Sequence, residues 1–111
     1  MKQIEHDEIK LELEGMLFTW NDEKEQLNIR KHGVDFRAAA SVFIDKDAII
    51  EYNSVDVYTG EERWDTIGIL NGALLFVVYV ERVTLHNSDI IRIISARRAV
   101  KEERKRYVNG N

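Results

Sequence analysis

Asn71-Gly72 lies between two stretches that read as extended strands, Arg63 to Leu70 before it and Ala73 to Arg82 after it. A two-residue type I′ turn needs positive φ at both central positions, which asparagine and glycine reach at least cost. The dipeptide between strand patterns therefore predicts a β-hairpin. A further strand pattern, Ile90 to Ala96, follows a polar turn from Thr84 to Asp89. Consecutive strands joined by such short connections pair antiparallel, so the chain must fold around a sheet.

The first half supplies what packs on that sheet. In residues 8–20, Ile9, Leu11 and Leu13 alternate with Lys10, Glu12 and Glu14, and Met16 to Trp20 follow Gly15. That predicts two short strands broken near Gly15. Asn21-Asp22 opens a helix with acids in its first turn, and Lys31-His32-Gly33 closes it. Phe36, Ala39, Ala40 and Phe43 fall at i, i+3, i+4 and i+7 behind Asp35 as N-cap, predicting an amphipathic helix over about 36–44. A strand is expected over 48–52, a polar loop over 53–62 and a last helix over 99–108. The expected fold is α+β, an antiparallel sheet with two N-terminal helices and a C-terminal helix, the helices packed on one face.

The 111 residues suit one domain, and 44% hydrophobic with 32% charged residues reads as globular. Cysteine is absent, which excludes a disulfide framework and thiolate metal sites. No apolar run approaches the roughly 18 residues that span a bilayer, so no membrane partner is expected. Residues 1–8 lack an apolar signal segment, and the expected location is cytoplasmic. The net charge of −4 argues against a general nucleic-acid coating protein. The charge is uneven, however. Residues 1–66 carry eight Lys/Arg against sixteen Asp/Glu (−8), and residues 67–111 carry eight against four (+4). In the basic part, Glu81-Arg82 and Arg97-Arg98 close two apolar strand patterns. Cations at the ends of rigid strands can form a fixed anion site. No His/Asp/Glu spacing resembles a metal site, no glycine-rich loop cradles phosphates and no Ser-His-Asp set is evident, so neither metal nor cofactor is expected.

Phe18-Thr19-Trp20-Asn21-Asp22-Glu23-Lys24, Asn28, Lys31 to Phe36, Gly60 to Arg63, Ile67-Gly68, Val78 to Arg82 and Ile91 to Ala99 stand in the order of a known family. Over about residues 16–107 the chain resembles the BrnT toxins of bacterial type II toxin–antitoxin pairs. The resemblance implies a RelE-like fold over residues 16–111, with 1–15 as an N-terminal extension and possible strand. It implies a metal-independent endoribonuclease that cuts an RNA substrate and inhibits growth. It also implies neutralisation by a BrnA-like ribbon-helix-helix antitoxin, with operator DNA bound only through the toxin–antitoxin complex. One departure is Val100, where the family commonly has a hydroxyl residue opening the last helix; without that N-cap the helix start is expected nearer Ser95 or Ala96.

RNA cleavage by the adjacent 2′-hydroxyl needs a group to take its proton, a group to stabilise charge on phosphorus and a group to protonate the leaving oxygen. Without a metal, the second task falls to fixed cations, and the arginine fork suits two phosphate oxygens. The candidates are Arg97, Arg98 and Arg82 around the phosphate, with Glu81, His32 or Lys24 moving protons. Alternation sends Arg97 and Arg98 to opposite sheet faces, and likewise Glu81 and Arg82. Each has a plainer reading: Glu81 or Glu103 could simply pair an arginine, and His32 beside Gly33 is an ordinary helix-end residue. Tyr79 could act as an acid but sits in a strand that favours packing. The rival function is a non-catalytic module binding DNA phosphates or a partner protein through the basic strand ends, with a tether for an antitoxin as a third. Read from these residues, the nuclease leans on several guanidinium groups converging on one pocket; all three arginines scattered, each tied up by a neighbouring acid, would remove that support.

Overall fold

The computed structural model describes residues 8–83 and 89–110. In chain order the elements are β1 (Leu11–Leu13), β2 (Met16–Thr19), α1 (Asp22–His32), α2 (Phe36–Ser41) with a 3-10 turn at Val42–Ile44, β3 (Ile49–Val55), β4 (Glu62–Leu70), β5 (Ala73–Val83), β6 (Asp89–Arg98) and α3 (Lys101–Asn109). One six-stranded sheet runs β1-β2-β6-β5-β4-β3. Asn71 and Gly72 have φ of 49° and 83°, the left-handed pair that a type I′ turn requires between β4 and β5. The expected polar turn over 84–88 lies outside the described residues.

Two features of the sheet depart from expectation. The β2–β6 ladder is parallel, with Thr19 opposite Arg92, whereas a wholly antiparallel sheet was expected. The chain leaves β2 through two helices and the β3–β5 meander, so β6 arrives beside β2 running the same way. β3 also continues to Val55 through residues expected to be loop. A bulge between Tyr52 and Ser54 absorbs one extra residue. Beside it, Asn53 Nδ2 donates to Asp65 Oδ1 at 2.6 Å.

Helices cover both faces, not one. Phe36, Ala39 and Ala40 of α2 pack with Phe18, Val77, Ile93 and Ala96. On the other side Ala99 and Tyr107 pack with Ile49, Ile67, Phe76 and Val78. Alternation along β5 explains this: Leu75 and Val77 enter the first cluster, Leu74 and Phe76 the second. A strand that buries both faces reads as a continuous apolar run, as Ala73 to Val80 does. Gly68 serves the first face: a Cβ there would stand 2.8 Å from the Val42 carbonyl oxygen of the 3-10 turn.

The helix ends follow local chemistry. Asn21 Oδ1 accepts the Lys24 N–H at the start of α1, and Gly33 (φ 71°) ends it by donating to the Ile29 carbonyl. Asp35 caps α2 through the Ala38 N–H. The last helix does not begin at Ser95 or Ala96, because β6 runs through both to Arg98. It begins after Val100, whose missing hydroxyl is offset from the other side: the Val100 N–H donates to Glu103 Oε1 at 2.8 Å. Glu103 also receives both ends of the Arg97 fork, each at 2.8 Å. Arg106 to Glu51 (3.0 Å) and the Tyr107 hydroxyl to Asp45 (2.6 Å) complete the seam.

Burial pushes the Glu103 carboxyl up, but the Arg97 fork and the Val100 N–H outweigh it and hold it below its ordinary 4.5. A depressed carboxylate contributes stability above its unfolded pKa and loses it as pH falls through the folded one. Glu103→Gln should therefore cost about 2 kcal/mol at neutral pH. It should also flatten the acid limb of the stability curve below about pH 4.5, read by denaturant melts across pH. An unchanged acid limb would remove Glu103 from the seam.

Candidate functional site at the open edge of β6

β2 accompanies β6 only from Ile90 to Arg92, so beyond that point no strand among the described residues pairs with this edge of β6. The side chain of Asn28, buried in the middle of α1, takes the place of a strand there. Its Nδ2 donates to the carbonyls of Ala96 (2.8 Å) and Val34 (2.9 Å), and its Oδ1 accepts the Ala96 N–H at 3.1 Å. Both amide protons and one acceptor site are used, so the buried carboxamide is satisfied.

Lys24 and His32 stand one turn before and one turn after Asn28 on the same helix stripe. With Lys31, Leu27, Ile94 and Ser95 they line a shallow cleft of about 210 Å³ between α1 and β6. Ile94 and Ser95 are consecutive, and plain alternation would send them to opposite faces. A bulge opposite Val78 and Tyr79 shifts the register there, so both reach the cleft. Lys24, Lys31 and His32 are exposed. None of them has a carboxylate within ion-pair distance among the described residues. Chemically, two ammonium groups, an imidazole and a hydroxyl around one cleft can hold a phosphate and move a proton.

The three arginines do not converge. Arg97 is opposite Phe76, and Arg82 is opposite Ile90. Six positions of β5 separate them, about 20 Å. The reason is directional: Arg82 lies one residue before the end of β5 and Arg97 one before the end of β6, and antiparallel neighbours finish at opposite ends of the sheet. Arg97 lies on the α3 face, its guanidinium carbon 4.3 Å from the Phe76 ring centroid and its fork on Glu103. Arg82 grips Glu61 with Nε (3.0 Å) and Nη2 (3.2 Å). Arg98, opposite Leu75, projects on the α1/α2 side and is exposed. Of the three arginines it alone has no carboxylate partner among the described residues. Because one Asn28 amide touches both Val34 and Ala96, the C-terminal end of α1 runs beside the end of β6 that carries Arg98.

Glu81 faces elsewhere. It borders a separate pocket of about 390 Å³ with Phe43, Tyr79, Ile91 and Asp89. Tyr79 packs edge-on against Phe43 at 5.0 Å, and burial pushes its hydroxyl up to about 12, which fits packing better than proton donation. His6 and His86 lie outside the described residues. Lys31 and Ser95 were not singled out from sequence; Ser95 could not be, because the bulge that turns it outward leaves no mark in Ile93-Ile94-Ser95-Ala96.

This is an α+β domain with a cationic cleft on its sheet edge, suited to a phosphate-bearing substrate. Residues 20–103 match the family described as "Ribonuclease toxin, BrnT, of type II toxin-antitoxin system", and the chain belongs to that family. It is thereby a ribonuclease toxin, with RNA as substrate and an antitoxin protein as partner. No curated protein matches it significantly. No helix among the described residues is long and apolar enough to cross a membrane.

The edge geometry rests on Asn28. Asn28→Ala orphans the Ala96 N–H and two carbonyls in a buried place, and should cost about 2–4 kcal/mol in urea melts with an unchanged m-value. A loss under about 0.5 kcal/mol would mean that water replaces the carboxamide and that α1 is held otherwise.

Proposed function

We propose that this toxin is a RelE-like, metal-independent endoribonuclease whose working surface is the cleft between α1 and the open half of β6. Lys24 and Lys31 hold the phosphate, Arg98 reaches it from the end of β6, and His32 moves the proton between the 2′-hydroxyl and the leaving oxygen. The observation carrying this reading is that Lys24, Lys31 and His32 line one exposed cleft and have no carboxylate partner among the described residues. Un-neutralised cations retain their full attraction for a phosphate, whereas Arg97 and Arg82 already hold Glu103 and Glu61. Those two arginines belong to the frame in this reading, and Glu81, outside the cleft, takes no part in the chemistry.

The antitoxin fits best as a BrnA-like ribbon-helix-helix protein, and operator DNA as a ligand of the complex alone. The toxin's net charge of −4 supports that division, since the partner then supplies the basic DNA-binding surface. The rival reading, a phosphate-binding module without cleavage, needs the cations but no proton carrier.

Purified protein should cleave single-stranded RNA in the presence of EDTA. His32→Ala should lower the rate by about 10²-fold or more. Lys24→Ala and Arg98→Ala should also reduce it, with melting temperatures close to wild type. Arg97→Ala should instead lower the melting temperature. If His32→Ala cuts as fast as wild type, the proton-transfer role is wrong. If wild type leaves RNA intact in EDTA, metal-independent cleavage is wrong.

A further inference from the structure

Apart from Arg92, the cations of the last third of the chain divide into two sets. Arg82, Arg97 and Arg106 each hold a carboxylate at 2.8–3.0 Å, and Lys105 lies 3.7 Å from Glu102. Arg98, Lys101 and Arg104 hold none among the described residues, and all three are exposed. They are also contiguous. Arg104 Nη1 donates to the carbonyl of Ala99, the residue after Arg98, at 2.9 Å, and Lys101 opens α3 two residues further on. A guanidinium fixed on a backbone carbonyl keeps its charge and its other N–H donors for a ligand. The junction thus begins three residues beyond Ala96, where Asn28 anchors the cleft, about 10 Å along extended chain.

We propose that Arg98, Lys101 and Arg104 form a second RNA subsite, which binds the backbone of nucleotides flanking the cut. This rests on the assignment of the α1–β6 cleft as the place of cleavage. Arg98 joins the two sites, while Lys101 and Arg104 take no part in bond breaking. The recognised chemistry is a run of phosphodiesters on a single strand, without base reading. Arg98, Lys101 and Arg104 present donors only, and the three cations carry no aromatic platform on which a base could stack. Of the carboxylates beside them, Glu103 is buried against Arg97 and Glu102 lies 3.7 Å from Lys105.

The test separates binding from cleavage. A fluorescein-labelled, fully 2′-O-methylated single-stranded RNA of roughly twelve nucleotides cannot be cut and spans both sites. The double variant Lys101→Gln/Arg104→Gln should bind it about tenfold more weakly at low salt. Its log–log salt dependence should flatten by about 0.7 per lost phosphate contact. Arg37→Gln/Lys46→Gln, exposed cations outside both sites with the same change in net charge, should bind like wild type. Arg104→Lys, which keeps the charge, should retain most of the affinity. For cleavable RNA the first double variant should raise KM with kcat unchanged, and on a dinucleotide it should match wild type. Equal affinity and salt slope for the two double variants would overturn the subsite even where wild type cleaves RNA. Failure of wild type to cleave would count against the cleft, while the binding comparison still decides the subsite.

Discussion

A single carboxamide holds the functional edge of this molecule in place. β6 is more than three times as long as the stretch that β2 pairs, and its open part would present unpaired backbone groups to whatever lay beside it. Asn28 closes that gap from a helix, bonding both the donor and the acceptor of Ala96 and the carbonyl of Val34 in the turn that follows α1. Because α1 is tied at its centre, the residues one turn away on each side, Lys24 and His32, stand at fixed height over the strand. The position of the cleft follows from that tie, and so does the approach of the end of α1 to Arg98.

The second organising fact is the separation of paired from unpaired cations. Arg97, Glu103 and the Val100 N–H form one partly buried cluster that fastens α3 to the sheet beneath it, over the Phe76 ring. Such a cluster loses several hydrogen bonds at once if either partner is removed, which makes it a poor reservoir of charge for a ligand. Lys24, Lys31, Arg98, Lys101 and Arg104 make no such commitments. An acidic protein with a net charge of −4 can still bind RNA through cations that hold no carboxylate, since salt screens exposed charges more than about 8 Å away.

Much of the frame was legible in the sequence because local chemistry dictated it. Asn71-Gly72 specified its hairpin, Asn21 and Asp35 their helix starts, and Gly33 a helix end, each through positions that few other residues satisfy. The parallel β2–β6 ladder was not legible, because nothing local chooses the neighbour of a four-residue strand. The placement of α3 on the far face was recoverable in principle: eight consecutive apolar residues from Ala73 to Val80 mark a strand covered on both sides. Alternation correctly sent Arg97 and Arg98 apart, and strand direction alone separates Arg82 from both. Ser95 was hidden by a bulge, and Glu103 as a cap was hidden by the assumption that a hydroxyl must open the helix.

The account stands on where RNA touches the protein. Titrating the isotope-labelled toxin with a non-cleavable single-stranded RNA and following backbone amides by NMR reads this directly. The largest shifts should fall on residues 24–32 and 93–104, with little change around Tyr79 and Glu81. Shifts centred on the Glu81 pocket or on the Arg82–Glu61 pair, with α1 silent, would contradict it.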